Sequence, residues 1–425
     1  MTPAIKCLIL LAIVALLFVT EMIPLAMRAI GASVACCALG LVPENQIFLG
    51  LADSTVVLFG GMFVVGAAMF YTGLAQKIGG GVVRMFGKGE NSLMFGIMII
   101  AALMSAVLSN TGTTACLIPV VMGICANAKI SASRELMPLA FAAGLGGTIT
   151  LIGTPPNILA NVALKAAGMP ELQFGFFEYA WIGIPITIAG IVYMMFIGKY
   201  LLPEDSGTLN LEIDEEILEN ETSTQKQIIC GIIMVGVIGS MATGIVPLEI
   251  AAVVGAVIAV LTGCLTEKQA YNSIDWVTIF LFAGMIPVAT AMNTSGAGKL
   301  IAEATVKMLG GDPSPYMVTA VLFGLAVVLT QFMSNTASKA LLCPVGIALS
   351  AQMGASPKAV LMAILIASSC AFASPVGTPP NTLVLGPGGY KFMDYLKAGT
   401  GLVAVCLIVS IIVIPIVWPF FPVSA

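Results

Sequence analysis

The 425-residue chain contains no histidine, and only 9% of its residues are charged. Without histidine, an imidazole metal site and an imidazole proton relay are both excluded. The ten cysteines lie mostly in apolar runs without Cys-x-x-Cys spacing, which favours small buried side chains over a metal or redox site. The sequence also lacks a nucleotide-binding loop and a pair of carboxylates within an apolar run. These absences argue against an enzyme, and the net charge of −4 argues against nucleic-acid binding.

Hydrophobic residues make up 59% of the chain, which is more than soluble domains contain. Apolar runs long enough to cross a bilayer, which takes about 20 helical residues, recur from Ile5 to the end of the chain. These runs lack the alternating pattern of barrel strands. The composition therefore predicts an all-α polytopic membrane protein, located in the cytoplasmic (inner) membrane.

Two short polar motifs occur twice within these apolar runs. A Ser-Asn-Thr triplet occupies residues 109–111 and again residues 334–336. A Gly-Thr-Pro-Pro-Asn element follows each triplet, at residues 153–157 and 377–381. The offsets are 334 − 109 = 225 and 377 − 153 = 224, so the two pairs recur almost in register. The sequence therefore indicates a duplicated polar site inside a membrane protein.

Each triplet interrupts an apolar stretch, at about 92–128 and about 315–352. The arms on either side have about 17 residues, close to the lower limit for crossing a bilayer, so we predict re-entrant helical hairpins with the triplets at their tips. Each Pro-Pro-Asn element falls in a further apolar stretch, at about 136–168 and about 357–386. Glycine and proline interrupt helices, so we predict a discontinuous helix in each half, with the freed backbone facing protein or a water-filled cavity.

The two halves follow the same plan of three full helices, a hairpin, a broken helix and a final helix. This plan crosses the membrane five times per half, an odd number, which predicts inverted repeats at 1–202 and 227–425. The acidic stretch at 203–226 would link them, and the distribution of Lys and Arg places this linker in the cytoplasm and both termini outside. Inverted repeats with broken helices are typical of secondary transporters.

The residue types at the tips suit two kinds of ligand. Hydroxyl groups, carboxamides and the N–H groups at helix N-termini hold carboxylates or other oxyanions. Carbonyl and hydroxyl oxygens suit a hard cation such as Na⁺. An anion and cations could thus bind side by side, each neutralising part of the charge of the other.

With these motifs in this order, the whole chain resembles the divalent anion/sodium symporter family of dicarboxylate, citrate and sulfate carriers, as a bacterial member. The resemblance implies a homodimer in which a transport domain moves like an elevator against a scaffold. The substrate residues that it implies are Ser109, Asn110, Thr111, Thr154, Ser334, Asn335, Thr336, Thr378 and Pro379. It also implies one Na⁺ site near Ser105, Ser109, Asn110 and Gly153, and a second that involves Thr330, Met333, Asn335 and Gly377, several of them through backbone carbonyls.

The repeat supports this assignment, because Ser105 precedes Ser109 by four residues just as Thr330 precedes Ser334. Lys339 departs from the pattern, because it stands where the first half has Thr114, and a charge inside the membrane is costly unless it is paired or hydrated. We favour a lysine that extends to the outer surface; the alternative is an ammonium group that replaces a bound cation, which would allow exchange.

The function that we expect is Na⁺-coupled symport of small dicarboxylates such as succinate, malate or fumarate. The alternative is a dicarboxylate or other anion exchanger, or a carrier of sulfate or a tricarboxylate on the same fold. A channel is disfavoured because the polar residues concentrate at one central site instead of lining an open pore.

Overall fold

The computed structural model describes residues 1–20, 22–85, 89–203, 223–308 and 314–421, and within these ranges it contains helices and no strand. The helices of the first half are α1 Pro3–Thr20, α2 Leu25–Ala38, α3 Ser54–Tyr71, α4 Leu74–Met85, α5 Glu90–Ser105, α6 Asn110–Ala128, α7 Leu136–Gly146, α8 Leu159–Ala166 and α9 Ala180–Phe196. Those of the second half are α10 Thr224–Thr243, α11 Leu248–Leu261, α12 Glu267–Ser273, α13 Trp276–Thr294, α14 Ala297–Met308, α15 Pro315–Phe332, α16 Asn335–Gln352, α17 Pro357–Ser369, α18 Pro379–Leu385 and α19 Phe392–Val417.

Apart from α12, which has no α-helical counterpart among the described residues of the first half, the helices of the two halves correspond in order, and matching residues precede two pairs of them. Pro24 and Pro247 immediately precede α2 and α11. Asp53 and Asp275 cap α3 and α13 through their carboxylates, Asp53 by accepting one backbone N–H group of the first turn and Asp275 by accepting two. Most of the acidic linker predicted at 203–226 lies outside the described residues.

Within the described ranges, six helical segments are long and apolar enough to cross a membrane. Two of these, α6 and α15, are arms of the interrupted stretches predicted as hairpins. By contrast, α2 and α11 have only 14 residues each, fewer than the roughly 20 that span a bilayer core. Helix length alone therefore does not distinguish full spans from hairpin arms, and the ten full crossings remain a prediction.

The helix is interrupted in each of these two stretches, and the prolines lie at the end of the interruption. Helix α7 ends at Gly146, and a short 3₁₀ turn at Pro155–Ile158 leads into α8. In the second half, α17 ends at Ser369 and α18 begins at Pro379. The prolines thus begin the second helical segments instead of lying within the break, because proline at the first helical position loses no intrahelical hydrogen bond and its φ suits the helix.

Close packing of small residues joins the two halves at two equivalent places. Helix α3 packs on α11, and helix α2 packs on α13. A Cβ on Gly61 would overlap Ala252, and a Cβ on Gly284 would overlap Ala29. Small residues at these positions allow the backbones to approach closely, as is common between membrane helices.

The second arm of each interrupted stretch packs against the broken helix of the other half. Helix α16 contacts the Pro155–Ile158 turn and α8, and helix α6 contacts α18. This crossed arrangement brings the four polar motifs of the chain into one region.

Candidate functional site

The serine of each triplet caps the helix that follows it. Ser109 Oγ accepts a hydrogen bond from Gly112 N at 3.1 Å, and Ser334 Oγ accepts one from Ala337 N at 3.2 Å. Serine is a favoured N-cap because its hydroxyl satisfies a backbone N–H group that has no partner within the helix. The triplets therefore start α6 and α16 inside the protein and leave other first-turn N–H groups available for an anion.

The Asn110 carboxamide points one of its ends into a cluster of oxygen atoms. This end lies 2.6 Å from Ser105 Oγ, 3.1 Å from Gly153 O and 3.3 Å from Ala143 O. With nitrogen at this end the amide donates hydrogen bonds to these oxygens. With oxygen there, the amide completes a set of hydroxyl, carbonyl and carboxamide oxygens of the kind that holds a hard cation.

The Asn335 carboxamide has the same surroundings in the second half. Its corresponding end lies 2.7 Å from Thr330 Oγ1, 3.2 Å from Gly377 O and 3.1 Å from Ser368 O. Thr330 Oγ1 also donates to Ser368 O at 2.7 Å. The two clusters thus repeat one arrangement of a hydroxyl, an amide and two backbone carbonyl groups.

The structure brings together most, but not all, of the residues expected at the Na⁺ sites. Ser105, Asn110 and Gly153 meet in the first cluster, as Thr330, Asn335 and Gly377 do in the second. The Ser109 hydroxyl caps α6, and the Met333 side chain is buried among apolar residues, so a contribution of either residue through its backbone carbonyl stays a prediction.

Sequence reasoning missed two members of the clusters, the carbonyl groups of Ala143 and Ser368. Every residue has a carbonyl group, so residue type gives no signal for such a ligand. Their positions differ by 368 − 143 = 225, the offset of the two triplets, and this repeat spacing was the only available indication.

Thr154 connects the first broken helix to the first cluster. Its hydroxyl donates to Gly147 O at 3.0 Å and lies 3.4 Å from Asn110 Oδ1. Gly147 packs so tightly here that a Cβ would overlap both the Asn110 and the Thr154 side chains. The equivalent residue of the second half, at an offset of 224, is Ala371.

The asparagines of the Pro-Pro-Asn elements satisfy the backbone of the broken helices. Asn157 Nδ2 donates to the carbonyls of Gly147 and Thr150, at 3.0 Å each, and Asn381 Nδ2 makes two equivalent bonds in the second half. Their own carbonyls accept from Tyr179 and Tyr395, at 2.7 Å each. These four residues replace hydrogen bonds that an unbroken helix would make, as backbone groups inside a membrane require. The two tyrosines were not predicted.

The residues expected to hold substrate differ in exposure. Thr111 and Pro379 are exposed, Thr336 is partly buried, and Thr378 is buried. A cavity of about 240 Å³ is bordered by Ser109, Gly112, Ile152 and Pro155 on one side and by apolar side chains of α3 on the other. It is smaller than the roughly 300–1,000 Å³ typical of drug-sized ligands, so it suits a small molecule, but none of the second-half substrate residues line it.

Lys339 lies on the first turns of α16, and its side chain is 0% exposed. Nζ donates to Asn157 Oδ1 at 2.9 Å and to Ser369 Oγ at 2.8 Å. The expectation that this lysine extends to the outer surface is therefore wrong, because its hydrogen-bonding partners lie inside the protein, one of them in the other half. Among the residues that the structure describes, no carboxylate forms an ion pair with it.

Two acidic residues outside the membrane-spanning helices have shifted pKa values. Burial, reinforced by Glu90, raises the pKa of Glu135 to about 8, and the nearby Arg134 opposes this only in part. For Asp53, burial also raises the pKa, but hydrogen bonds from Lys165 and Thr55 outweigh it and lower the pKa overall. Neither carboxylate belongs to the clusters around Asn110 and Asn335.

Comparisons with known proteins agree over nearly the whole chain. The sequence profile of the citrate transporter family matches residues 15–342 and 332–423. An uncharacterized transporter of Haemophilus influenzae is 30% identical, with the alignment covering 94% of this chain and 89% of that protein. The sodium-dependent dicarboxylate transporter SdcS of Staphylococcus aureus is 26% identical, covering 95% and 84%. The structure of the Alcanivorax borkumensis YdaH transporter gives a TM-score of 0.65 at 18% identity, covering 99% of this chain and 100% of that one, which indicates a shared fold.

Proposed function

Because this chain belongs to the citrate transporter family, as a multi-pass bacterial membrane transporter, we propose that it carries a small dicarboxylate such as succinate, malate or fumarate together with Na⁺. Named sodium-dependent dicarboxylate transporters among its relatives support both the substrate class and the ion.

The observation that carries the proposal is the pair of oxygen clusters around Asn110 and Asn335. In each cluster, one hydroxyl oxygen and two backbone carbonyl oxygens lie 2.6–3.3 Å from one end of the carboxamide. Neutral oxygens are ligands suited to Na⁺, whereas a transition metal would favour imidazole or thiolate ligands. In each cluster, turning the amide so that its oxygen faces inward would exchange a hydrogen-bond donor for a cation ligand.

The geometry also gives a reason for coupling. In the first cluster, Ser105 and Asn110 belong to the hairpin, whereas Gly153 belongs to the broken helix. A cation bound among them would fix the hairpin tip against the loop that carries Thr154. The anion would then meet contacts that are already ordered. We propose that these contacts come from Ser109, Asn110, Thr111, Thr154, Ser334, Asn335, Thr336, Thr378 and Pro379, the last by packing alone because proline has no N–H group to donate. Binding of either ligand would favour binding of the other.

The matching contacts of the two halves support inverted repeats, at 1–202 and 227–425, with 203–226 as a cytoplasmic linker. Two hairpins and two broken helices would form a transport domain that moves as an elevator. A homodimer would hold the other helices as a scaffold. Lengths of 16 to 19 residues for α5, α6, α15 and α16 are compatible with hairpin arms that enter and leave on the same side.

Uptake of labelled succinate into proteoliposomes tests this function. An inward Na⁺ gradient with no internal dicarboxylate should drive accumulation, and replacing Na⁺ by K⁺ should abolish it. Uptake that ignores Na⁺ but requires internal dicarboxylate would instead establish an exchanger. If no uptake of succinate occurs under either condition, uptake of labelled sulfate and labelled citrate is measured in the same vesicles to identify another substrate.

A further inference from the structure

Lys339 places an amino group, which carries a positive charge when protonated, in the protein interior without a described carboxylate partner. Its two hydrogen bonds go to neutral oxygens, Asn157 Oδ1 and Ser369 Oγ. Ser369 Oγ donates its own proton to Leu365 O at 3.0 Å, and Asn157 Nδ2 donates to the carbonyls of the broken helix. Both partners therefore act only as acceptors toward Lys339. A buried charge is stable only with a compensating charge or hydration, so an anion bound nearby would stabilise the ammonium form of Lys339.

The ammonium group lies beside the elements that face the site. Lys339 follows Ser334 by five residues on α16, whose N-terminal end already carries a partial positive charge. Its partner Asn157 follows Pro155 by two residues, and Pro155 lines the cavity together with Ser109. The lysine and the helix end thus add positive potential to the same region, where an anion would neutralise both.

The other half shows that the fold does not require this charge. Thr114 stands at the position equivalent to Lys339, and its hydroxyl donates to Asn110 O at 2.9 Å, one turn back in its own helix. Asn381 is the equivalent of Asn157, and its Oδ1 is buried without a hydrogen-bonding partner among the described residues. An asparagine that hydrogen-bonds to the backbone of the broken helix is thus present in both halves, whereas a lysine at the position of Lys339 is present only in the second half.

We propose that Lys339 supplies a fixed positive charge against which the site binds its substrate anion. One of the cations that neutralise a bound dianion is then part of the protein itself. This inference deepens the proposed function and rests on it only in requiring that the site binds an anion. It specifies a preference for dianions over monoanions, because the attraction grows with the charge of the ligand.

The test compares two ligands that differ by one charge, succinate and monomethyl succinate, in calorimetric titrations of purified protein at saturating Na⁺. Lys339→Thr, which introduces the residue of the first half, should weaken succinate binding about tenfold and monomethyl succinate binding only about threefold, because the attraction is proportional to the charge of the ligand. Lys339→Arg should preserve the ratio of the two affinities. A lysine that only ties α16 to Asn157 would instead weaken both ligands equally in Lys339→Thr, and that result would overturn the proposal.

Two further variants separate the charge from its position. Thr114→Ser alters the equivalent residue without adding charge, so it should leave the ratio unchanged. The double variant Lys339→Thr/Thr114→Lys moves the ammonium group to the place where Asn381 Oδ1 is available, and we expect it to regain part of the dianion preference. If the wild type binds sulfate but not succinate, the proposed substrate is wrong. The role of Lys339 is then tested by comparing the affinities for sulfate, a dianion, and nitrate, a monoanion. Binding of neither dianion contradicts both proposals.

Discussion

The first and second halves of the site place one carboxamide in the same surroundings. Asn110 and Asn335 each face one hydroxyl and two backbone carbonyl groups, and in each half a further asparagine and a tyrosine support the broken helix. The halves differ around this common arrangement. Lys339 replaces Thr114, and Ala371 replaces Gly147. The shared groups are those suited to a cation, whereas the groups that differ set the charge and the packing, so the two halves are not interchangeable.

Removing the shared amide should have the largest effect. Asn110→Ala or Asn335→Ala deletes the group that joins the hairpin oxygens to the broken helix, so we expect Na⁺-driven uptake to fall at least about 100-fold, equivalent to about 2.7 kcal/mol. Asn91→Ala serves as the matched control, because Asn91 is exposed and its side-chain oxygen accepts a hydrogen bond from Lys199, outside the two clusters. Full activity in either site variant would remove that amide from the mechanism.

A methyl group added at Gly147 should distinguish the two halves. Its Cβ would overlap Asn110 and Thr154, so Gly147→Ala should raise the Na⁺ concentration for half-maximal uptake about tenfold, within the range of overpacking energies. The reverse change at the equivalent position, Ala371→Gly, should shift that concentration less than about threefold. Equal effects of the two substitutions would show that the tight packing around Asn110 has no role in cation affinity.

A buried acid also distinguishes the halves, because Glu135 corresponds to Ala359 at an offset of 224. Its pKa of about 8 lies above the value of about 4.3 for glutamate in an unfolded chain, so the folded protein binds the proton more tightly. The resulting stabilisation is complete below about pH 4.3 and is lost as the pH rises toward 8.

The free energy of unfolding should fall between pH 5 and pH 8, and Glu135→Gln should reduce this fall by more than about 1.4 kcal/mol, the equivalent of one pKa unit. The measurement is a thermal unfolding series across this pH range. Glu44→Gln, an exposed acid outside the site, is the control and should leave the slope as it is. An unchanged slope in Glu135→Gln would mean that this carboxyl group does not titrate in the range.

The smallest effect is expected from the two tyrosines that support the broken helices, because they make the same hydrogen bond in both halves. Tyr179→Phe and Tyr395→Phe each remove one hydroxyl that donates to an asparagine carbonyl at 2.7 Å. Each should lower the free energy of unfolding by about 1 kcal/mol, a typical contribution of one hydrogen bond. The exposed Tyr71→Phe should have little effect. A large difference between the two buried variants would argue against equivalent roles in the two broken helices.

Much of the fold followed from local sequence patterns. Helix α3 begins at Ser54 because Asp53 caps it, and the interruptions before Asn110 and Asn335 coincide with the triplets. The extent of the breaks was less predictable. Proline excludes a continuing helix but favours the start of a new one, and only the surrounding packing decides which occurs.

The site was predictable only as far as side chains define it. The hydroxyl and amide members of each cluster follow from the repeated motifs, whereas the carbonyls of Ala143 and Ser368 depend on how α7 and α17 pack. The position of Lys339 depends on a contact with Asn157, which is 182 residues away in the sequence. No local pattern could reveal that contact. The energetic cost of a charge inside the membrane led instead to the prediction that the Lys339 side chain extends to the surface.

The most direct test of paired cation sites is the initial rate of succinate uptake measured as a function of Na⁺ concentration in proteoliposomes. Two clusters that both bind Na⁺ and together order the anion site predict a sigmoidal dependence with a Hill coefficient above 1 and no greater than about 2, the number of such sites. Uptake that is independent of Na⁺, or that rises hyperbolically with a Hill coefficient of 1, would contradict the account.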